Sequence, residues 1–293
     1  MTAAVSVIVP TFRRLERLPD LLTRLATIDH AADLDIVIVD QTPGADLSAL
    51  ERFSEHFASL RCMSLAEANV ALARNTGAEA ASCDILLFMD DDMALDRFFI
   101  PHLLSLMGRM PRTVLGAVWP HQVAIDRADG LPSTGQDDEA LTFLPTGALA
   151  ISRWDFLTAG GFDARLERYF EDAEFSHRLK QLGLRLIRHP DLKAEHHDHQ
   201  ENGTWYSRSM MEAAPRLMQQ TAYFRRKTGR SWAKVLFALL RVIASETRRP
   251  GYLRGGTQLT RAAALGVSLP AALIYAARSP LLAHAPSSGG KAG

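Results

Sequence analysis

The chain has 293 residues, of which 47% are hydrophobic and 23% charged, and its formal net charge is zero. This composition is ordinary for a globular protein, at a length that can bury a sizeable core. Its two cysteines, Cys62 and Cys83, lie among apolar residues, which excludes a disulfide framework and indicates a reducing compartment.

The zero net charge conceals an uneven distribution along the chain. From Trp205 to the carboxyl terminus there are fourteen Lys and Arg against two Glu, which leaves nineteen basic and thirty-one acidic residues before that point. The sequence therefore predicts an acidic body followed by a basic region. No positive charge precedes the first apolar run, so we expect no signal peptide and a cytoplasmic location.

Two β-branched runs near the amino terminus predict buried strands. Residues 5–10 form the first, and the leucines between Leu15 and Leu25 have the spacing of a helix that packs back on the sheet. Residues 34–39 form the second strand, which ends at Asp40 with a Pro-Gly turn close behind. A carboxylate is thus expected at the carboxyl end of a strand.

The same alternation continues along the chain. Residues 50–57 predict a short helix, residues 60–65 a third strand, and the alanine-rich residues 68–81 a longer helix that contains Arg74 and Asn75. Strands that alternate with helices favour an α/β fold with a doubly wound, mostly parallel sheet.

Three consecutive aspartates follow the next apolar run. Residues 85–89, ILLFM, predict a strand buried on both faces, and Asp90, Asp91 and Asp92 come directly after it. A turn needs only one Asp or Asn, and adjacent like charges repel one another, so a solvated turn explains the triplet poorly. Because ligands bind at the carboxyl ends of such strands, the triplet predicts a site for a hard cation and phosphate.

An acidic pair opens a helix in the second half of the chain. Residues 160–163, GGFD, predict a turn, and residues 170–182 a helix with Glu171 and Asp172 in its first turn. Most acidic pairs at a helix start do no more than complement the helix dipole, so the pair alone does not establish a site.

Beyond residue 203 the pattern becomes helical and basic. Residues 206–223 and 232–245 predict amphipathic helices. Residues 262–277 are uncharged, but a membrane span needs about twenty residues and Pro270 interrupts this segment, which favours a membrane-surface or buried helix. Contact with anionic lipid and a solvated helical face that closes the core are equally supported, and residues 281–293 are expected to be disordered.

Taken in order, these segments resemble family 2 glycosyltransferases. The amino-terminal half of the family is similar to VSVIVPTFRR, IVIVDQTPG, NVALARNTGAEAA and ILLFMDDDM, and the second half to LPTGALAISRWDFLTAGGFDARLERYFEDAEFSHRLKQLG. The resemblance implies a GT-A fold over residues 1–204, followed by a basic helical region over residues 205–280. It also implies inverting, metal-dependent transfer of a sugar from a nucleoside-diphosphate donor to a hydroxyl acceptor.

The resemblance further assigns residues to the donor and to a metal. The donor-binding residues that it implies are Pro10, Thr11, Asp40, Arg74, Asp90, Asp91 and Gly147. Asp40 would contact the base, although DQTPG stands where the family usually has Asp-Asp-Gly-Ser, which leaves the base open. Asp92, with Asp90 and His196, would bind Mn²⁺ or Mg²⁺.

Other histidines offer alternatives to His196 as the metal ligand. His196 follows the proline of its segment by six residues, as in the family, and His197 and His199 are the next candidates. A separate zinc site from His197, Asp198 and His199 is less favoured, because no cysteine and no spaced fourth ligand accompany them.

Catalysis is assigned to the acidic pair. Asp172 would be the general base that deprotonates the acceptor hydroxyl, with Glu171 as the second candidate. Thr146 and Gly147 would let the backbone approach the sugar. Residues 121–141 are predicted to form a mobile loop on the acceptor side.

Two other functions stay open at this point. A nucleotidyltransferase acting on a sugar phosphate would use a similar sheet, but it usually has a glycine-rich loop after the first strand, and VPTFRR has no glycine. A non-catalytic sugar-nucleotide-binding scaffold is disfavoured by the presence of both Asp92 and Asp172.

The expected enzyme is a hexosyl- or deoxyhexosyltransferase of polysaccharide, glycolipid or cell-envelope glycan synthesis. Its acceptor would be a glycan, a lipid-linked sugar or a small molecule, and no nucleic acid is expected as a partner. Peripheral contact with the anionic inner face of the plasma membrane is a further expectation.

Overall fold

The computed structural model describes residues 3–119, 141, 143–167, 169–197, 217–248 and 256–278. The chain divides into two compact units, Met1–Gln200 and Glu201–Gly293. The predicted boundary at residue 204 and the predicted tail 281–293 lie outside the described residues, as does the predicted loop 121–141 except for Leu141.

The first unit is built on an eight-stranded sheet in the order β3-β2-β1-β4-β7-β6-β8-β5. Its strands are β1 (Val5–Thr11), β2 (Leu34–Asp40), β3 (Ser59–Ser64), β4 (Ile85–Met89), β5 (Met93–Leu95), β6 (Thr113–Val118), β7 (Ala148–Ser152) and β8 (Arg185–His196). The four strands β3, β2, β1 and β4 are parallel to one another, and β6 is parallel to β8. Strand β7 is antiparallel to both of its neighbours, β4 and β6, and β5 is antiparallel to β8. The predicted mostly parallel α/β sheet is confirmed.

The α-helices in the described part of this unit are α1 (Leu18–Leu25), α2 (Val70–Ala80), α3 (Phe99–Arg109), α4 (Arg153–Thr158) and α5 (Glu171–Gln181). The segment predicted as a helix over residues 50–57 is instead a 3₁₀ helix, Ser48–His56. Leu50 is its one buried residue, so little apolar packing favours a longer α-helix there.

Both faces of the sheet are buried, because successive side chains of its central strands enter two different cores. Val7 and Val9 of β1 pack in one core with leucines of α1 and Phe99 of α3. Ile8 packs in the other with alanines of α2, Phe156 of α4 and Phe175 of α5. Alternation along a strand thus produces the doubly wound arrangement that the sequence predicts.

Helix α2 lies close against β1 and β2. A Cβ atom on Gly77 would stand 2.4 Å from Cγ2 of Ile8 and 3.3 Å from Cγ2 of Val39, so only glycine permits this approach. At its amino end the side chain of Asn69 accepts a hydrogen bond from the Leu72 amide at 3.0 Å, a standard helix cap. These contacts fix where Arg74 and Asn75 point.

A buried carboxylate joins the amino ends of the parallel strands. Asp35 on β2 accepts hydrogen bonds from Ser6 on β1, Ser59 and Arg61 on β3, and Ser82 before β4. Burial alone would raise the pKa of Asp35, but these hydrogen bonds outweigh it and hold the pKa well below its usual value. The stability that Asp35 contributes is therefore present above about pH 4 and is lost as the pH falls further.

The second unit is helical in its described part. Helix α6 covers residues 217–227, followed by α7 (Trp232–Arg248) and α8 (Gly256–Arg278). Their small core contains Met218, Ala222, Val235, Leu239, Leu265, Ala272 and Ala276. The first half of the predicted helix 206–223 lies outside the described residues. Among the helices described, none has the length and apolarity to cross a membrane.

Candidate active site

The carboxyl ends of three neighbouring parallel strands bring the predicted donor-binding residues to one edge of the sheet. Thr11 ends β1 opposite Asp40 at the end of β2, and Pro10 lies beside Val39 one position earlier. The Thr11 hydroxyl donates a hydrogen bond of 2.6 Å to Oδ2 of Asp91, in the loop after β4. The structure therefore joins these strand ends directly, as the pattern of the sequence predicts.

Asp40 is fully buried and has one oxygen without a protein partner. Its Oδ1 accepts hydrogen bonds from the amide and hydroxyl of Thr42, at 3.2 and 2.8 Å. Its Oδ2 is buried and accepts no hydrogen bond from any described residue. Because leaving a buried acceptor unpaired costs about 1–3 kcal/mol, this oxygen is suited to a ligand that brings an N–H group.

A buried arginine links the aspartate triplet to helix α5. The Arg74 guanidinium donates to Oδ1 of Asp90 and to Oε1 of Glu171, both at 2.9 Å. Burial would lower the pKa of Arg74, but these two carboxylates raise it above its usual value. Arg74 thus holds the loop after β4 and the start of α5 at a fixed separation.

The GGFD turn is held by Asn75. The Asn75 side chain accepts from the Phe162 amide and donates to the Phe162 carbonyl, both at 2.8 Å. Gly161 has φ +66°, and a Cβ there would lie 2.7 Å from Oδ1 of Asn75, so this position needs glycine. Phe170, just before α5, is also left-handed, with φ 66°, a conformation that bulky residues rarely adopt and that often marks functional sites.

Asp172 lies in the first turn of α5, beside Glu171. Its Oδ1 accepts a hydrogen bond of 2.7 Å from the Ala173 amide. Burial and the adjacent Glu171 carboxylate raise the pKa of Asp172 to about 7, against the opposing effects of that amide and of Arg74. A carboxyl group with a pKa near neutrality can exchange a proton at physiological pH, which is the property a general base requires.

Asp92 and His196 come together through the pairing of β5 with β8. Met93 lies opposite His196 in this antiparallel pair, and the His197 amide donates to the Asp92 carbonyl at 2.9 Å. His196 Nε2 then lies 3.4 Å from Oδ1 of Asp92, a buried oxygen that accepts no hydrogen bond from the described residues. Adjacent ligands of a six-coordinate Mg²⁺ or Mn²⁺ ion lie about 3 Å apart, so this pair fits two positions around such an ion.

The other predicted metal ligands make different contacts or lie outside the described residues. Asp90 is turned towards Arg74, and His197 contributes its amide to Asp92. Asp198 and His199 lie outside the described residues. Within the described part of the chain, no group of three or more His, Cys, Asp and Glu side chains surrounds a common metal position.

Gly147 precedes β7 at the same edge. Its carbonyl accepts from the Asp90 amide at 3.1 Å, and Thr146 beside it is buried. A Cβ on Gly147 would meet Trp119, Asp90 and Met93 at 3.5–3.6 Å, which is ordinary contact. Protein packing alone therefore does not require glycine here, and its missing side chain leaves space beside the Asp90 carboxylate.

Arg14 is the main residue of this edge that the sequence analysis did not assign. Its guanidinium Nη1 lies 3.0 Å from Oδ1 of Asp91 and 2.9 Å from Oδ2 of Asp92. Burial raises the pKa of Asp91, whereas the hydrogen bonds of Thr11 and Arg14 oppose that rise. A signal existed in the sequence, because two adjacent buried carboxylates need a cation and Arg14 follows Thr11 by three positions.

A comparison with models of known protein families shows which family the chain belongs to. Residues 6–152 match the family model described as Glycosyl transferase family 2. The chain is a member of glycosyltransferase family 2. The matched region contains the strand-end residues Thr11, Asp40 and Asp90–Asp92, and also Arg74 on α2. A search of curated protein sequences found no significant match.

Solved structures agree with this assignment at the level of the fold. A mannosyltransferase, PcManGT from Pyrobaculum calidifontis in complex with GDP-Man and Mn²⁺, is similar with a TM-score of 0.60 and 19% identity. The similarity covers 94% of this chain and 86% of that one. S. aureus TarS gives a TM-score of 0.55 and 16% identity, over 92% of this chain and 55% of TarS. This glycosyltransferase therefore has the GT-A fold that the sequence predicts.

Proposed function

We propose that this family 2 glycosyltransferase moves a hexosyl or deoxyhexosyl group from a nucleoside-diphosphate sugar to an acceptor hydroxyl with inversion. The observation that carries the proposal is the Asp90–Arg74–Glu171 network. Through it, Asp172, whose pKa is about 7, is tied to the loop that also contains Asp92. A group able to accept a proton and a candidate site for the leaving diphosphate thus belong to one rigid edge.

In the proposed reaction each group acts at a defined atom. Asp172 takes the proton of the acceptor hydroxyl, whose oxygen forms a bond to the anomeric carbon while the bond from that carbon to the diphosphate breaks. The diphosphate leaves with the electron pair of the broken bond. Asp92 and His196 would hold a divalent cation, which when bound neutralises the charge that develops on the leaving group.

The donor nucleotide would occupy the ends of β1 and β2. Asp40 Oδ2, the buried oxygen without a described partner, would accept a hydrogen bond from the base, and the space beside Gly147 would admit the sugar. GDP-mannose is the first donor to test, because the similar mannosyltransferase was solved in complex with it.

The experiment measures binding and turnover separately. Calorimetry with GDP and UDP, with and without Mn²⁺, gives affinity, and release of nucleoside diphosphate from a panel of sugar nucleotides gives turnover. We expect Asp92→Asn to abolish Mn²⁺-dependent nucleotide binding. Asp172→Asn should keep donor affinity and lower turnover about 10²-fold or more, the scale of losing a general base.

Asp84→Asn is the matched control, because Asp84 is exposed at the opposite end of β4. It should leave binding and turnover unchanged. Wild-type turnover in Asp172→Asn would remove Asp172 as the base. Nucleotide binding without turnover on any donor and acceptor would favour a sugar-nucleotide-binding scaffold.

We also propose that the second unit contacts an anionic membrane surface, where lipid-linked or envelope acceptors of a glycan pathway would lie. On α7, Val235 and Leu239 are buried, whereas Trp232, Leu236, Phe237 and Leu240 are 40–63% exposed. These four side chains form the exposed apolar face of α7. The exposed cations Lys234 and Arg241 lie on the same helix, a combination that suits insertion at a lipid headgroup layer.

A further inference from the structure

Arg14 forms ion pairs with two aspartates of the site, and the proposed function gives these ion pairs no role. One guanidinium nitrogen bridges Asp91 and Asp92, whose side chains are 6% and 8% exposed. Arg14 therefore occupies a place where its charge competes with a metal cation for Asp92. A residue in this place either blocks the metal or moves when the metal binds.

Arg14 is placed so that it can move. Its side chain is 31% exposed, and it lies between β1 and the short 3₁₀ helix that starts at Leu15, in a segment without regular secondary structure. Asp91, by contrast, is also held by the Thr11 hydroxyl. Asp91 is thus held by the end of β1, whereas the guanidinium that neutralises it is at the end of a long, partly exposed side chain with several rotatable bonds.

The charges favour binding metal and donor together over binding either alone. Two carboxylates and Arg14 leave one negative charge at this position. A divalent cation alone would make the site positive beside Arg14, and the diphosphate of a sugar-nucleotide donor alone would add two negative charges. When both bind, their charges cancel and the net charge of the site is unchanged, which is the lowest electrostatic cost of the three cases.

We infer that Arg14 is a binding residue that couples the metal to the donor: it neutralises Asp91 and Asp92 in the free enzyme and pairs with the donor's diphosphate when both ligands are bound. A guanidinium suits both roles, because its planar N–H groups match carboxylate and phosphate oxygens alike. The inference rests on the proposed donor site. It predicts that Arg14 weakens metal binding in the absence of donor, whereas a residue that only supported the fold would not.

The test measures the affinity of Mn²⁺ with and without GDP or UDP, by calorimetry or by the spin-resonance signal of free Mn²⁺. In Arg14→Ala, Mn²⁺ alone should bind about tenfold more tightly or better, because the competing charge is gone. Nucleoside diphosphate in the presence of Mn²⁺ should bind about tenfold more weakly. For an unchanged affinity of the nucleoside diphosphate alone, the coupling between the two ligands, equal whichever ligand is varied, should fall about tenfold.

Arg13→Ala is the matched control, since Arg13 is the exposed neighbour whose guanidinium lies over the Phe12 ring, 5.0 Å from its centroid. It should change neither affinity. Arg14→Lys keeps the positive charge but not the planar guanidinium. Its affinities for Mn²⁺ and for nucleotide should lie between those of the wild type and those of Arg14→Ala. Arg14→Gln retains most of the side-chain volume and serves as the neutral variant if Arg14→Ala does not fold.

Two adverse results are distinguishable. If the wild type binds Mn²⁺ and nucleotide together, and the neutral variants bind Mn²⁺ alone no more tightly than the wild type, the coupling role of Arg14 is overturned while the proposed function stands. If the wild type binds neither ligand in any combination, the proposed function fails and the role of Arg14 fails with it.

Discussion

Asp172 has an elevated pKa because burial and the Glu171 charge both disfavour its ionised form. A general base must be ionised before it accepts a proton, so kcat/KM should rise with pH through about pH 7. Glu171→Gln removes the largest repulsive charge and leaves Arg74 in place. We expect the rising limb of the profile to move to lower pH in this variant. A rising limb at the same pH in Glu171→Gln as in the wild type would show that a group other than Asp172 titrates.

The same shift affects stability, with the opposite sign from that of Asp35. Because the pKa of Asp172 is higher in the folded protein than in the unfolded chain, folding favours its protonated form, and its contribution declines as the pH rises from about 4 to about 7. Asn does not titrate in this range, so the stability of Asp172→Asn should not decline in this way as the pH rises. The melting temperature of the variant, relative to the wild type, should be higher at pH 8 than at pH 5. A pH-independent difference would contradict the raised pKa.

Close packing of α2 on the sheet gives a prediction for an element. Gly77→Ala would place a methyl group 2.4 Å from Ile8, and overpacking of this kind costs about 1–3 kcal/mol, against a gain in helix propensity of about 1 kcal/mol. We expect a net loss of stability in denaturant unfolding. Gly108→Ala on α3 is the control, because nothing lies within 4 Å of its Cβ position, and it should be neutral or stabilising. Equal effects in both variants would contradict the close contact.

Elements and strand-end residues were predictable where the signal is local. The apolar run before Asp90 and the β-branched run before Asp40 both form buried strands that end at these carboxylates. The antiparallel direction of β7 was not predictable, since a short apolar run specifies burial but no direction. The proximity of Asp92 and His196 could not be predicted from a local pattern either, because it depends on the pairing of β5 with a strand about a hundred residues later. The sequence analysis expected it only from the family resemblance.

Side-chain partners were the least predictable part of the site. Arg74 was assigned to the donor site from the family resemblance, but its bridge between Asp90 and Glu171 joins segments far apart in the chain. Arg14 was not assigned, because the sequence shows its charge but not which carboxylates it meets. Non-local ion pairs follow from the completed fold, and no local pattern records them.

At the scale of the whole molecule, the basic second unit and the acidic first unit predict salt-dependent membrane binding. Lipid attraction of about 1 kcal/mol for each nearby Lys or Arg is screened within about 8 Å at physiological salt. The full chain should therefore float with vesicles rich in phosphatidylglycerol at low salt, and less so at high salt.

A single substitution tests whether the exposed apolar face of α7 inserts. Phe237 is 63% exposed, and Phe237→Glu should reduce flotation, because a carboxylate cannot enter the lipid layer. Val267→Glu adds the same charge at an exposed position of α8 and should reduce it less. Equal loss in both variants would assign binding to net charge, and no binding by the wild type would overturn the proposed membrane contact.

The Asp35 network has a consequence for how this enzyme can change. The network holds the strands together at their amino ends. Asp40 belongs to the opposite edge, because it lies five residues further along β2 and so about 16 Å from Asp35. Substitutions so far apart, without shared partners, have nearly additive effects on stability. Residues of the carboxyl edge, among them the proposed donor contacts, can thus be redesigned, or can drift over generations, one at a time while the Asp35 network keeps the strands together.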